Sequence, residues 1–257
     1  MATPVAPLKI LSIVGAGRSG TTVLASILGE IDGFASAGEL RWLWERGVVE
    51  QRPCGCGETP VHCPVWSPVV SRALATSDMS RQLDIARQII VSQQELTRRR
   101  NLLRVLFSAD GGHSQWSDLQ RVRAFTGAAA RAFAEECSAR VVVDTSKRPL
   151  DAAVFASLED VEHYVLHVVR DPRAVVHSWR RAKAFDVAGA KLTMGTRRLP
   201  ATVRRWTANC LSAEVLRSQL PGSRWLHIRY EDFARHPQAA VAEILALLGE
   251  SGKPPFD

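Results

Sequence analysis

The chain has no apolar run approaching the ~20 residues that a membrane-crossing helix needs, so no stable membrane insertion is expected. Residues 1–7 lack the basic segment that opens a secretory signal, and the apolar run after them reads as a first strand. Cysteine is scarce and odd in number: five in 257 residues do not make a disulfide framework. A reducing cytoplasm is the expected compartment. No basic run interleaved with aromatics occurs, and Arg98-Arg99-Arg100 is short enough for a solvated helix face. The net charge of +7 therefore favours anionic partners, or an arginine-rich composition, without implying nucleic acid. Internal repeats and low-complexity segments are also missing. The most informative absence is a single side chain. Residues 15–22 read Gly-Ala-Gly-Arg-Ser-Gly-Thr-Thr, and Gly15 and Gly20 match the opening of the pattern G-x-x-x-x-G-K-[ST]. Thr21 stands where the lysine belongs, and the cation is Arg18, inside the loop. In nucleoside triphosphatases that lysine reaches the β- and γ-phosphates and the next hydroxyl holds Mg²⁺. A loop with the cradle but not the lysine suits a phosphate without triphosphate chemistry.

What is present reads as an α/β chain. The apolar fraction of 46% and charged fraction of 23% are ordinary for a globular enzyme. Strand-like runs fall at 9–14, 33–37, 140–144, 161–169 and 225–229. Helices are expected at 21–31, from Glu39 through Val48, and at 150–158, 172–185, 201–220 and 239–248. Residues 51–68, rich in Cys, Pro and Gly, should be irregular, and 188–200 an aperiodic loop. The stretch 68–137 is mainly helical, interrupted around 108–117, and reads as an insertion able to shape a substrate pocket. Alternating strands and helices imply an open, central parallel sheet with ligands at the strand carboxyl ends; taken with the glycine loop and the strings below, the expectation is a single P-loop NTPase-like three-layer α/β domain over 1–257.

A second string carries chemistry: Val168-Val169-Arg170-Asp171-Pro172-Arg173-Ala174-Val175-Val176-His177-Ser178-Trp179. Arg170 ends a strand and Ser178 lies two helical turns further on. A guanidinium there suits bidentate phosphate binding beside a helix dipole; a surface Arg-Asp pair capping the helix is the plainer alternative. Together with Arg18-Ser19-Gly20-Thr21-Thr22, and with Arg229-Tyr230-Glu231-Asp232-Phe233 after the last strand, this string resembles the sulfotransferases that use 3′-phosphoadenosine 5′-phosphosulfate (PAPS). The likeness covers roughly 8–48 and 140–240 and leaves the helical block unmatched.

The resemblance implies a donor with a 5′-phosphosulfate and a separate 3′-phosphate, no triphosphate tail and no required metal. The missing lysine fits that donor. By the same resemblance Gly17, Arg18, Ser19, Gly20, Thr21 and Thr22 bind the 5′-phosphosulfate, with Arg18 also offsetting charge on the leaving oxygen. Arg170 and Ser178 bind the 3′-phosphate, and the product is 3′-phosphoadenosine 5′-phosphate (PAP). Cytosolic small-molecule members take their base from a histidine two residues past a lysine, but Lys147 is followed there by Pro149. Tyrosylprotein, carbohydrate and bacterial members use a glutamate after the second strand, a place Glu39 occupies; otherwise Glu39 is a helix N-terminal carboxylate satisfying the dipole. Lys147 resembles the cation near the transferring group. The Arg-Lys-Gly segment that closes over the 3′-phosphate is not found, nor is the dimer segment of that branch, so closure falls either to 188–200 or to no segment, and the oligomeric state stays open. Trp206 and Asn209 fall near where the family contacts adenine and 3′-phosphate.

Other residues leave alternatives. Cys54, Cys56 and Cys63, with His62, supply four candidate ligands, but C-x-C-x₆-C is not a usual zinc spacing and adjacent His62 and Cys63 would strain a tetrahedron. A reduced loop or one disulfide is the expectation, with no metal. Cys137 and Cys210 read as buried small hydrophobes, and His177 as a packing residue. Trp42, Trp44, Trp66 and Trp116 suit either an acceptor wall or the core. The acceptor is a carbohydrate, lipid or small-molecule hydroxyl. The rival functions are a P-loop small-molecule kinase and a non-catalytic PAP- or anion-binding module.

Overall fold

The computed structural model describes residues 7–110, 115–181, 183–187 and 190–251. β1 (Leu8–Val14) is buried from Ile10 onward on both faces, as a central parallel strand must be. α1 (Thr21–Gly29) and β2 (Phe34–Gly38) follow, then a π-helical turn over Leu43–Val49. The helical block comprises α2 (Trp66–Ala73), α3 (Met79–Leu96), α4 (Leu102–Leu106) and α5 (Ser117–Glu136). β3 (Val141–Lys147), α6 (Pro149–Ala156), β4 (Val161–Val169) and α7 (Pro172–Arg180) restore the alternation. A hairpin of β5 (Lys183–Val187) and β6 (Ala190–Met194) precedes α8 (Leu199–Arg217), β7 (Trp225–Arg229), α9 (Tyr230–Arg235) and α10 (Pro237–Leu248).

Five parallel strands form the main sheet in the order β2-β3-β1-β4-β7. Strand periodicity sorts the side chains into layers. Leu11, Ile13, Val141, Val143, Leu166 and Val168 pack against Leu24 and Leu28 of α1 and Val241 and Ile244 of α10. On the opposite face Ile10 and Val142 meet Val69, Ile89, Phe133 and Phe155, while Val14 and Val165 meet Leu106, Val154 and Leu216. The expected three-layer α/β fold is therefore present. β1 lies between β3 and β4, with the chain running from β1 to one edge and later to the other. That makes the carboxyl end of β1 the switch point at which such sheets bind ligands.

Three local expectations are corrected. α7 ends at Arg180, not near 185, because Arg181 is extended (φ −95°, ψ 119°). The chain then forms an antiparallel pair in which Val187 faces Ala190, where a helix end and an aperiodic loop were expected. The alternating strings Lys-Ala-Phe-Asp-Val and Ala-Lys-Leu-Thr-Met around Gly189 carry that signal; residues 188–189 themselves lie outside the described set. After β2 the helix is a 3₁₀ turn and a π turn rather than α, closed by Glu50 N–H donating to Glu45 O at 2.9 Å.

Candidate active site

The loop after β1 is built by close approaches that exclude side chains. A Cβ on Gly15 would lie 2.3 Å from Val168 O, and one on Gly20 (φ +79°) 2.5 Å from the Tyr230 ring. Gly15 N–H donates to Lys147 O at 3.0 Å, tying the loop to the end of β3. Arg18 is held at φ +77°, a conformation that costs a non-glycine residue about 1–2 kcal/mol. Its guanidinium lies over the Trp179 ring at 4.6 Å, and Trp179 Nε1 donates to Gly17 O at 3.2 Å. Arg197 covers the same ring at 3.9 Å. Burial, with Arg205 and Arg18 nearby, lowers the Arg197 guanidinium below its usual value. The loop therefore carries concentrated positive charge although it lacks the lysine; Thr21, in that slot, is 2% exposed and opens α1.

Arg170, at the end of β4, turns toward this loop rather than toward Asp171. Its Nη1 donates to Arg18 O at 2.7 Å, and its guanidinium covers the Tyr230 ring at 4.2 Å. Asp171 instead caps α7 and pairs with Arg173, which holds its carboxyl down at about 2. Asp171 N–H donates to Glu231 Oε1 at 3.1 Å. The Tyr230-Glu231 segment is thus the third wall: one side chain fills the space left by Gly20, the other fixes the backbone after Arg170. Arg170 Nε and Ser19 Oγ are buried without a hydrogen-bond partner among the described residues. Ser178 is half-buried on α7, and the exposed His177 is not the packing residue expected.

Glu39 and Lys147 end β2 and β3 and meet as an ion pair. Lys147 is also at positive φ (+67°), and its carbonyl accepts from both Gly15 N and Asn209 Nδ2 at 3.0 Å. Asn209 and Trp206, whose Nε1 donates to Arg170 O at 3.1 Å, brace two strand ends from α8. Beneath the pair lies Asp144, 1% exposed. Its carboxylate accepts from Leu40 N at 3.1 Å and from Ser146 N and Oγ at 3.2 and 2.6 Å. Ser146 Oγ in turn accepts from Arg41 N at 3.2 Å. Burial outweighs these donors and raises the Asp144 carboxyl to about 7. Asp144 thereby fastens the Glu39-Leu40-Arg41 turn to β3.

A cleft of about 320 Å³ opens from Glu39, lined also by Trp42, Arg46, Arg52, Cys54 and Trp66, within the size range of small-molecule sites. The π turn and the 51–65 excursion bound it, and Trp66 is the one contribution from the helical block among the described residues. Of the four tryptophans considered, Trp42 and Trp66 face this cleft. Trp44, 1% exposed, is core against Phe125, and Trp116 lies under Arg104. Cys137 is exposed and Cys210 half-buried, so neither is the fully buried hydrophobe expected. Sequence reasoning gave no part to Asp144, Trp179 or Arg197. A carboxylate ending the run Val141-Val142-Val143 was the signal for the first, and the close of the Arg170 string for the second.

Known proteins share this fold and sequence pattern. A model described as the sulfotransferase family matches residues 11–254. No curated protein matches. Among solved structures, the sulfotransferase domain from the curacin biosynthetic pathway superposes with a TM-score of 0.54 at 19% identity, over 97% of this chain and 75% of that one. The sulfotransferase STF9 from Mycobacterium avium gives 0.50 at 14% identity, over 97% and 65%. At such identities these likenesses speak for the fold, while the family match spans loop, strand ends and the Tyr230 segment alike. The chain belongs to the sulfotransferase family.

Proposed function

We propose that the chain transfers a sulfuryl group from PAPS to a hydroxyl of a carbohydrate, lipid or small-molecule acceptor, with Glu39 as the base. The observation that carries this reading is the Glu39–Lys147 pair, tied to the glycine loop through Lys147 O and opening onto the cleft through Glu39. Two strand ends thus bring a carboxylate and an ammonium between a phosphate cradle and an acceptor-sized space.

The residues suit the donor. Glycines stand where a Cβ would collide, α1 begins at the loop, and the buried Ser19 Oγ and Arg170 Nε have polar valences to offer. The donor, when bound, supplies a sulfuryl group on a phosphate leaving group. Gly17, Arg18, Ser19, Gly20, Thr21 and Thr22 hold its 5′ end, and Arg170 with Ser178 holds its 3′-phosphate. Lys147 sits close enough to Glu39 to turn its ammonium toward incoming negative charge, which frees the carboxylate to accept the acceptor's hydroxyl proton. Arg18 keeps positive charge at the loop for the leaving phosphate. The buried Thr21 favours this donor over a triphosphate, because no cation stands at the lysine position.

Thermal shift with PAP, set against ATP with Mg²⁺, tests the donor: PAP is expected to raise the melting temperature by mass action and ATP not. Stronger stabilisation by ATP with Mg²⁺ would favour the kinase alternative. Label transfer from [³⁵S]PAPS to a panel of sugars, lipid alcohols and phenols tests turnover. PAP binding with no transfer to any class leaves the non-catalytic module instead.

A further inference from the structure

The 51–65 excursion gathers three thiols that the transfer reaction does not use. Cys54 Sγ lies 2.9 Å from Cys56 Sγ and 3.5 Å from Cys63 Sγ, and Cys56 and Cys63 are 3.6 Å apart. Apolar packing does not account for this convergence, because Cys56 is exposed and Cys54 half-buried; Cys63 alone is buried. A disulfide does not account for it either, since a disulfide uses two sulfurs and here a third is directed at the same point.

The backbone is shaped to present them. Cys54 N–H donates to Glu58 O at 2.8 Å and Gly57 N–H to Cys54 O at 2.9 Å, closing a turn that Gly57 completes at φ +94°. Within it Cys56 N–H donates to Cys54 Sγ at 3.3 Å. Cys63 is fixed from the other side, its N–H donating to Thr59 O at 2.8 Å and its carbonyl accepting from Ser67 N at 2.9 Å. Sulfurs bound at ~2.3 Å around a tetrahedral zinc ion stand about 3.8 Å apart. Two of the three separations lie within a few tenths of an ångström of that value, and a small rotation opens the third. His62, the fourth ligand considered from sequence, is exposed and engaged through Nδ1 with Thr59 Oγ1 at 2.9 Å.

We propose that Cys54, Cys56 and Cys63 bind one Zn²⁺ ion. Three soft ligands favour a thiophilic ion over Mg²⁺ or Ca²⁺. Binding converts three thiols to thiolates and releases their three protons to solvent, so affinity falls as pH is lowered. The consequence is local. Arg52, Pro53 and Cys54 line the cleft beside Glu39, and Trp66, three residues after Cys63, lines it too, so one ion pins both sides of the outer wall. Only the naming of that cleft as the acceptor site rests on the proposed function; the metal site stands or falls without it.

The test uses the full, tag-free chain purified under reducing conditions without chelator. Elemental analysis is expected to give about one zinc per chain. Co²⁺ exchanged into the site should show thiolate-to-cobalt charge-transfer absorption. Cys56→Ser, at an exposed position that leaves the core intact, should lose both signals and keep PAP binding, whereas Cys137→Ser should lose neither. Cys63→Ser adds the buried ligand where that variant folds. The proposal is overturned by zinc far below stoichiometry together with no cobalt–thiolate band, by equal zinc content in wild type and Cys56→Ser, or by an intact mass showing a native disulfide among these residues.

Discussion

Arg170→Ala separates two roles that one guanidinium can fill. Arg170 Nη1 donates to Arg18 O at 2.7 Å and the group covers Tyr230, so its loss loosens the loop whatever ligand is present. Its Nε has no hydrogen-bond partner among the described residues and is the atom we assign to a phosphate. A charge-assisted hydrogen bond contributes about 1.5–3 kcal/mol, which is roughly a 10- to 150-fold change in affinity. The loop effect should weaken every 5′-phosphorylated adenosine alike, whereas the phosphate effect needs the 3′ group. Isothermal titration of PAP and of AMP against both proteins therefore completes a cycle in which the ligand supplies the second deletion. Wild type is expected to prefer PAP over AMP by at least the factor given above, and Arg170→Ala to lose most of that preference. Arg170→Lys should restore charge but not the fork, recovering part of it. Equal loss of PAP and AMP affinity would falsify the 3′-phosphate role and leave Arg170 as a brace for Arg18 and Tyr230.

Glu39→Gln should lower sulfuryl transfer by about 10²- to 10⁴-fold, the usual worth of a general base, with PAP affinity unchanged by titration; unaltered turnover would remove Glu39 from the base role. Gly20→Ala places a Cβ 2.5 Å from Tyr230 at φ +79°, and should weaken PAP binding. Adding Tyr230→Ala should relieve the collision but not the backbone cost of about 1–2 kcal/mol, so full recovery in the double variant would show that the φ strain is negligible. Asp144, raised to about 7 in the fold from an ordinary 3.8, binds more protons folded than unfolded across that window. Its contribution to stability is thus complete below about pH 4 and lost as pH rises through about 7, on the order of 4 kcal/mol over the interval. Urea midpoints measured from about pH 5 to pH 8 should fall for wild type and flatten for Asp144→Asn, and parallel profiles would refute the assignment.

The sheet was legible because parallel strands buried on both faces leave short apolar runs, and those at 9–14 and 161–169 sit inside β1 and β4 with little change. β3 was cut short at Asp144 because a buried carboxylate breaks the apolar run, yet the strand continues to Lys147 with Asp144 satisfied by Leu40 and Ser146. The β5–β6 hairpin was hidden by α7, whose helical text runs on past Arg180. Loop residues 15–22 were readable because glycine spacing is a local constraint. The partners that make them a site were not. Tyr230 on Gly20, Trp179 under Arg18 and Glu39 on Lys147 are contacts across 210, 161 and 108 residues of sequence, and nothing in local periodicity encodes which strand ends will be neighbours. A likeness in three separated strings supplied what periodicity lacked.

The absent lysine gains a physical reason from this arrangement. A Walker lysine concentrates charge at one end of a phosphate chain, next to a metal. Here the cations are spread over three strand ends and a hairpin. Arg18 follows β1, Lys147 closes β3, Arg170 closes β4, and Arg197 follows β6 to lie on the same tryptophan as Arg18. On the proposed reading these cations serve a donor with a 5′-phosphosulfate and a separate 3′-phosphate. That donor has no γ-phosphate for a lysine at position 21 to reach. Thr21→Lys should therefore leave ATP binding unimproved, because the β4 and β6 cations remain placed for a different ligand. Titration with ATP and Mg²⁺ checks this, and a gain of ATP affinity at the expense of PAP would show that the loop alone, rather than the dispersed cations, selects the donor.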